Sequence, residues 1–148
     1  MERFHTFTTQ IAKISRSIRK IKTEEMKEFD LKSPHVSCLY YLYKESSGLT
    51  ATKLCDICDE DKAAISRSIE YLENNGYIEC NSKTEKRYNS PLLLTEKGKN
   101  VGKHIANRID NVLQLASVGI TDENRAVFYQ SLKIISENLQ KISNMFGG

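Results

Sequence analysis

Ser66 and Arg67 stand in the segment Asp61–Gly76, where Ile65, Ile69 and Leu72 recur at i, i+4 and i+7. That spacing predicts a short amphipathic helix with those three side chains turned inward. Lys62, Ala63, Ser66, Arg67 and Glu70 then fall on the opposite face. A guanidinium on such a face can give two parallel hydrogen bonds to guanine or grip a phosphate. A serine hydroxyl can bond either, and an alanine methyl can touch the methyl of thymine. On an arbitrary helix the same arginine would be a solvated residue paired with Glu70 or Asp61. The next residues decide between the two readings. Strand-like Tyr77–Cys80 leads into a polar loop, Asn81–Pro91, that carries Lys83, Lys86 and Arg87, and the apolar Leu92–Leu94 returns. A helix followed directly by a basic hairpin offers double-stranded DNA a rod for the major groove and an arm for the backbone or minor groove.

The charge distribution agrees with that reading. The whole chain of 148 residues carries a net charge of only +3, too mild to imply nucleic acid. Between Ser82 and Lys103, however, six basic residues (Lys83, Lys86, Arg87, Lys97, Lys99, Lys103) face two acidic ones, Glu85 and Glu96. Asp59, Glu60 and Asp61 lie just before the helix, where the positive end of its dipole favours negative charge. Gly76 follows its last turn and supplies a left-handed stop.

Other elements must hold this pair in place. A second helix is expected to begin at Ser33-Pro34, with Ser33 as cap and Pro34 in the first turn, and to bury Val36, Leu39, Tyr40 and Tyr43. Thr50 to Cys58 reads as a short third helix capped by Thr50. A fifth begins at Thr95 and breaks at Ala116–Gly119, and Thr121 caps a sixth. Toward the N-terminus, Phe4, Phe7, Ile11, Ile14, Ile18 and Ile21 follow a 3, 4, 3, 4, 3 spacing. Near the other end Phe128, Leu132, Ile135, Leu139, Ile142 and Phe146 follow 4, 3, 4, 3, 4. Two such narrow seams are read as helix–helix association surfaces of a homodimer. The fold class is therefore mostly α with a small β-hairpin wing, a winged helix-turn-helix core flanked by terminal helices.

Leu54-Cys55-Asp56-Ile57, Asp61-Lys62-Ala63-Ala64-Ile65-Ser66-Arg67, Leu72-Glu73-Asn74-Asn75-Gly76-Tyr77-Ile78 and Leu94-Thr95-Glu96-Lys97-Gly98, in that order, resemble the MarR family of bacterial transcriptional regulators. The resemblance is close in the winged-helix region and architectural at the two ends. It implies a homodimer whose residues 1–32 and 101–148 form the dimerisation region, through Phe7, Ile11, Ile14, Ile18, Leu132, Ile135, Leu139 and Ile142. Residues 33–100 would bind DNA. Each protomer would set its fourth helix into successive major grooves of a pseudo-palindromic operator. Ser66 and Arg67 match the family's recognition-helix pair, and Arg87 falls near its wing arginine. The family often represses promoters and lets go of DNA when a small aromatic or anionic effector binds between the dimer region and the winged helix. Here that pocket is expected around Phe29, His35, Cys38, Tyr40 and Tyr41. Two departures stand out. The family's Asp-x-Arg-Asp-x-Arg wing pattern is only partly kept in Asn81-Ser82-Lys83-Thr84-Glu85-Lys86-Arg87, and Ala63 and Ala64 stand where Ser or Thr is common.

The remaining features exclude more than they add. Cys55 and Cys58 form a CxxC with no second pair, which does not make a four-ligand zinc ribbon. The chain has no Gly-rich phosphate loop, HExxH or GxSxG, so no enzyme and no cofactor is expected. It has no run long and apolar enough for a membrane helix, and the reading is cytoplasmic. The rival readings are a winged helix used only for protein contact, and a regulator answering to thiol chemistry at Cys38 or to a metal held by His35, His104 and Cys38.

Overall fold

In the computed structural model, which describes residues 2–58, 60–80 and 90–147, the central helix α4 spans Lys62–Asn74. Its ends are fixed by local chemistry. Asp61 is the N-cap, and its Oδ1 accepts a hydrogen bond from the Ala64 backbone N–H at 2.6 Å. At the other end Gly76 takes φ +77°. Its N–H donates to the Glu73 carbonyl at 3.1 Å and that of Tyr77 to the Leu72 carbonyl at 2.9 Å. This paired closure satisfies two carbonyls the helix would otherwise leave open, and its left-handed residue favours glycine. The buried side of α4 is Ile65, Ser68 and Leu72, with Ile69 half-buried. Ser68 joins that side because its hydroxyl donates to the Ala64 carbonyl at 2.8 Å.

Before α4 come α1 (Arg3–Glu25), a 3-10 turn (Lys27–Phe29), α2 (Ser33–Lys44) and α3 (Ala51–Ile57). After it come strands β1 (Ile78–Cys80) and β2 (Leu92–Leu94), then α5 (Glu96–Ala116) and α6 (Asp122–Asn144). The strands pair antiparallel, with Ile78 opposite Leu94, Glu79 opposite Leu93 and Cys80 opposite Leu92. The other edge of β2 bridges to Leu49, where the Leu92 N–H donates to the Leu49 carbonyl at 2.8 Å. Sequence periodicity does not report this bridge, since it involves a single residue.

Thr50 caps α3 as expected, its hydroxyl accepting from Lys53 N–H at 3.1 Å, and Thr121 caps α6 the same way through Asn124 N–H at 3.2 Å. The start of α2 differs from expectation. The cap is Lys32 and not Ser33, which is already helical and buried. His35 Nδ1 accepts the Lys32 backbone N–H at 3.0 Å, so a side chain from inside the helix closes its end.

Two compact units follow one another along the chain, Met1–Ile109 and Asp110–Gly148. In the first, Leu39, Leu54, Ile65, Leu72 and Ile105 are fully buried and form the centre of the core with Val36, Leu42, Ile78 and Leu92. The start of α5 lies close against the hairpin. A β-carbon added at Gly98 would overlap the Tyr77 carbonyl, so that contact requires glycine. In the second unit α6 buries no residue. Phe128, Ile135, Leu139 and Ile142 are all exposed, and Arg125 pairs with Asp122 in the first turn.

Candidate nucleic-acid interface

Burial of Ile65, Ser68 and Leu72 turns the rest of α4 outward. Lys62, Ala63, Ser66, Arg67 and Glu70 are all exposed. Among the described residues Arg67 forms neither an ion pair nor a side-chain hydrogen bond, so the pairing with Glu70 or Asp61 does not occur. Asp61 is instead held as the helix cap. The outward face therefore presents a guanidinium, an ammonium and a hydroxyl within two turns, beside the small Ala63. That is a donor-rich surface suited to phosphate and to base edges.

The wing's root is tied to the C-terminal end of α4. Thr95 Oγ1 donates to the Gly76 carbonyl at 2.6 Å and accepts from Gly98 N–H at 3.1 Å. Lys97 Nζ donates to the Asn75 carbonyl at 2.8 Å and lies 4.3 Å from the centre of the Tyr77 ring. A cation there complements the negative end of the helix dipole and gains from the ring face. Helix, strand pair and the start of α5 are thus pinned at one corner, which fixes the strands against the end of α4. The expected wing contacts Lys83, Lys86 and Arg87 lie outside the described residues.

The residues expected around an effector separate into two groups. Tyr40 and Tyr41 line a cavity of about 280 Å³, together with Arg19, Lys22, Ser37 and Glu60. Phe29, His35 and Cys38 are placed elsewhere. Phe29 meets His104 edge-on at 5.9 Å between ring centres. His35 stacks on Tyr71 of α4 at 4.3 Å, and the Tyr71 hydroxyl donates to the Asp30 carbonyl at 3.0 Å. Burial, then the charge of Lys32, depresses the His35 pKa, with Asp30 acting in the opposite sense. Cys38 is fully buried, in hydrogen-bonding contact with Cys58. That bond holds the Cys58 thiol below its ordinary pKa, with Lys22 acting in the same sense, and raises the Cys38 thiol. Among the described residues no group of three or more His, Cys, Asp or Glu side chains could hold a metal ion, which includes the trio His35, His104 and Cys38. Sequence reasoning missed Arg19, Lys22 and Glu60 at the cavity. The helical spacing of Ser33, Ser37, Tyr40 and Tyr41 was the one available signal, since it puts them on one face of α2.

No protein-family model matches the chain. The HTH-type transcriptional regulator YybA of Bacillus subtilis (strain 168), itself uncharacterized, is 26% identical over 132 residues, covering 89% of this chain and 87% of that one. A protein of Listeria monocytogenes assigned to the MarR family of transcriptional regulators, solved in complex with 26mer DNA, is 29% identical. The alignment covers 89% of this chain and 87% of that one, with a TM-score of 0.78. NMB1585, a MarR family regulator from Neisseria meningitidis, superimposes with a TM-score of 0.82 over 99% of this chain and 100% of its own. At 20% identity that likeness speaks for the fold alone. Over nearly its whole length the chain is thus similar to transcriptional regulators, one of them of the MarR family and bound to DNA, and it shares their winged helix-turn-helix fold.

Proposed function

We propose that the chain is a homodimeric, sequence-specific DNA-binding regulator of the cytoplasm that represses its promoter until a small effector binds. Residues 33–100 engage DNA, and residues 1–32 and 101–148 hold the dimer together. Lys62, Ala63, Ser66, Arg67 and Glu70 enter the major groove, while Lys83, Lys86 and Arg87 follow the backbone or the adjacent minor groove. Two protomers then read the halves of a pseudo-palindromic operator. The observation that carries the reading is the outward face of α4, whose arginine has no partner among the described residues while its buried face fits the core. The DNA complex of the Listeria relative supports it. So do the apolar seams of α1 and α6, on which Phe7, Ile11, Ile14, Ile18, Ile135, Leu139 and Ile142 are all exposed.

The test is a gel-shift titration against the DNA upstream of the chain's own gene, with a salt series. Affinity for the operator must fall steeply with salt as condensed counterions are released. Arg67→Ala is expected to lower it by about 1–3 kcal/mol, roughly fivefold to over a hundredfold, with the far-ultraviolet circular dichroism unchanged. Undiminished binding by that variant would remove α4 from the interface.

A further inference from the structure

Arg67 and Tyr71 stand one turn apart on the same stripe of α4. The stripe is exposed at Ala63 and Arg67, but at Tyr71 it is half-buried and turns back onto the protein. The Tyr71 hydroxyl donates to the Asp30 carbonyl at 3.0 Å, with an Asp30 carboxylate oxygen farther off at 3.5 Å. Its ring lies against that of His35, 4.3 Å between centres and 11° from parallel. Both partners are themselves fixed. Asp30 ends the 3-10 turn in the left-handed region, at φ +57°, and its N–H donates to the Lys27 carbonyl at 3.1 Å. Met26 before that turn and Leu31 after it are sealed in the core, and the Leu31 N–H donates to the Met26 carbonyl at 3.3 Å. His35 is held through Nδ1 by the Lys32 N–H. The C-terminal half of α4 is thus tied from the side to an anchored segment between α1 and α2.

Apolar contact is non-directional, so the buried Ile65 and Leu72 fix the depth of α4 more firmly than its roll about its own axis. A hydrogen bond and a ring stack have preferred directions, and from the side of the helix they act on roll. A roll of about 10° moves a side-chain tip by about 1 Å at the ~6 Å radius of a helix with its side chains. Two parallel hydrogen bonds from a guanidinium to guanine do not survive such a shift unaltered. A side chain that only grips a phosphate can follow it. We propose that Tyr71 is a positioning residue for sequence reading, whose bond to Asp30 sets the roll of α4 and so aims Arg67 at a base edge. The inference rests on the DNA-binding reading above and adds to it a residue that governs selectivity. Phosphate contacts hold a protein on the duplex, whereas base contacts choose the sequence. Loss of the Tyr71 hydroxyl therefore acts on the choice and spares the hold.

The test is Tyr71→Phe in the full chain, which removes the hydroxyl and keeps the ring. The specific probe is a duplex selected by the wild-type chain from a random library, and the reference probe is the same duplex with its sequence shuffled. Tyr71→Phe is expected to bind the selected duplex about fivefold more weakly and the shuffled duplex with wild-type affinity. The dependence of affinity on salt should not change, because no phosphate contact is lost. A merely structural role would lower both affinities together and leave their ratio alone. Arg67→Ala and the double variant complete a cycle, measured at low salt where all four proteins bind. With Arg67 already removed, Tyr71→Phe should cost no further affinity for the selected duplex. A wild-type ratio between the two duplexes in Tyr71→Phe overturns the proposal, and so does a double variant in which the two losses simply add. A wild-type chain that enriches no sequence from the library overturns the DNA-binding reading and the positioning role with it. A wild-type chain that selects a sequence which Tyr71→Phe distinguishes equally well overturns the positioning role alone.

Discussion

Leu39, Leu54, Ile65, Leu72 and Ile105 are sealed from solvent in the first unit, whereas Ile14, Ile18, Ile135, Leu139 and Ile142 each keep between 38% and 51% of their surface exposed. These side chains are chemically alike and sit in opposite environments. The first set is satisfied by the winged helix itself, where two short strands, Leu49 and five helical segments close over it. The second set lies on long helices, α1 and α6, that bury no residue. Isolated helices gain little from propensity in water and take their stability from packing an amphipathic face. The region proposed to read DNA is therefore complete within one chain, while the bare seams are the surfaces that the proposed dimer would cover.

That contrast is broken most severely at α6. Ile135→Glu together with Leu139→Glu would bury unpaired charges in the proposed dimer interface, at about 3–5 kcal/mol each. Sedimentation equilibrium is expected to show the mass halved. Wild-type melting temperature should rise with protein concentration and that of the double variant should not. A variant with wild-type mass would mean the α6 seam is not an association surface. Next in size is Leu72→Ala inside the winged helix, where a cavity with sealed walls costs about 2–5 kcal/mol. Urea unfolding should report the loss in full at any protein concentration, because the site belongs to one protomer. A loss below about 1 kcal/mol, or one that depends on concentration, would contradict the self-contained core.

How far each region could be read beforehand follows from the range of its interactions. Asp61, Gly76, Thr50 and Thr121 act within one helical turn of themselves, so the ends of α3, α4 and α6 were legible from the chain. The end of α2 was not, because a histidine ring nitrogen reaching back from His35 displaced the more familiar Ser33. Ser68 was missed on the inner face because a polar residue interrupts an apolar stripe, and its burial depends on its own helix's Ala64 carbonyl accepting the hydroxyl. The expected effector residues mixed two faces of α2: Tyr40 turns with Ser33 and Ser37 toward the cavity, Cys38 turns into the core. Arg19 and Glu60 are far apart in sequence, and no period or motif links them. The seams of α1 and α6 were plain from heptad spacing, since an uncovered stripe needs no tertiary information to be recognised.

The smallest expected effect lies at His35, on the boundary between the sealed core and solvent. Only the neutral ring can accept the Lys32 N–H at Nδ1 while stacked on Tyr71. Protonation would abolish that acceptor and put a second positive charge beside Lys32. The folded-state pKa is lowered, with burial as the largest cause, so between the folded value and the unfolded value near 6.5 the unfolded chain binds more protons. Stability must then rise with pH across that window. The contribution is complete above about pH 6.5 and is lost as pH falls through the folded pKa. Its size is that of one hydrogen bond, about 0.5–1.5 kcal/mol. His35→Asn keeps an oxygen acceptor for the Lys32 N–H and cannot titrate, so its stability should fall less between pH 7 and pH 5 than that of the wild type in urea unfolding. Parallel pH profiles would show that the cap survives protonation. A flatter profile for the variant, with no change in the protein's sedimentation, would place this pH sensitivity inside the self-contained winged helix and leave the α1 and α6 seams out of it.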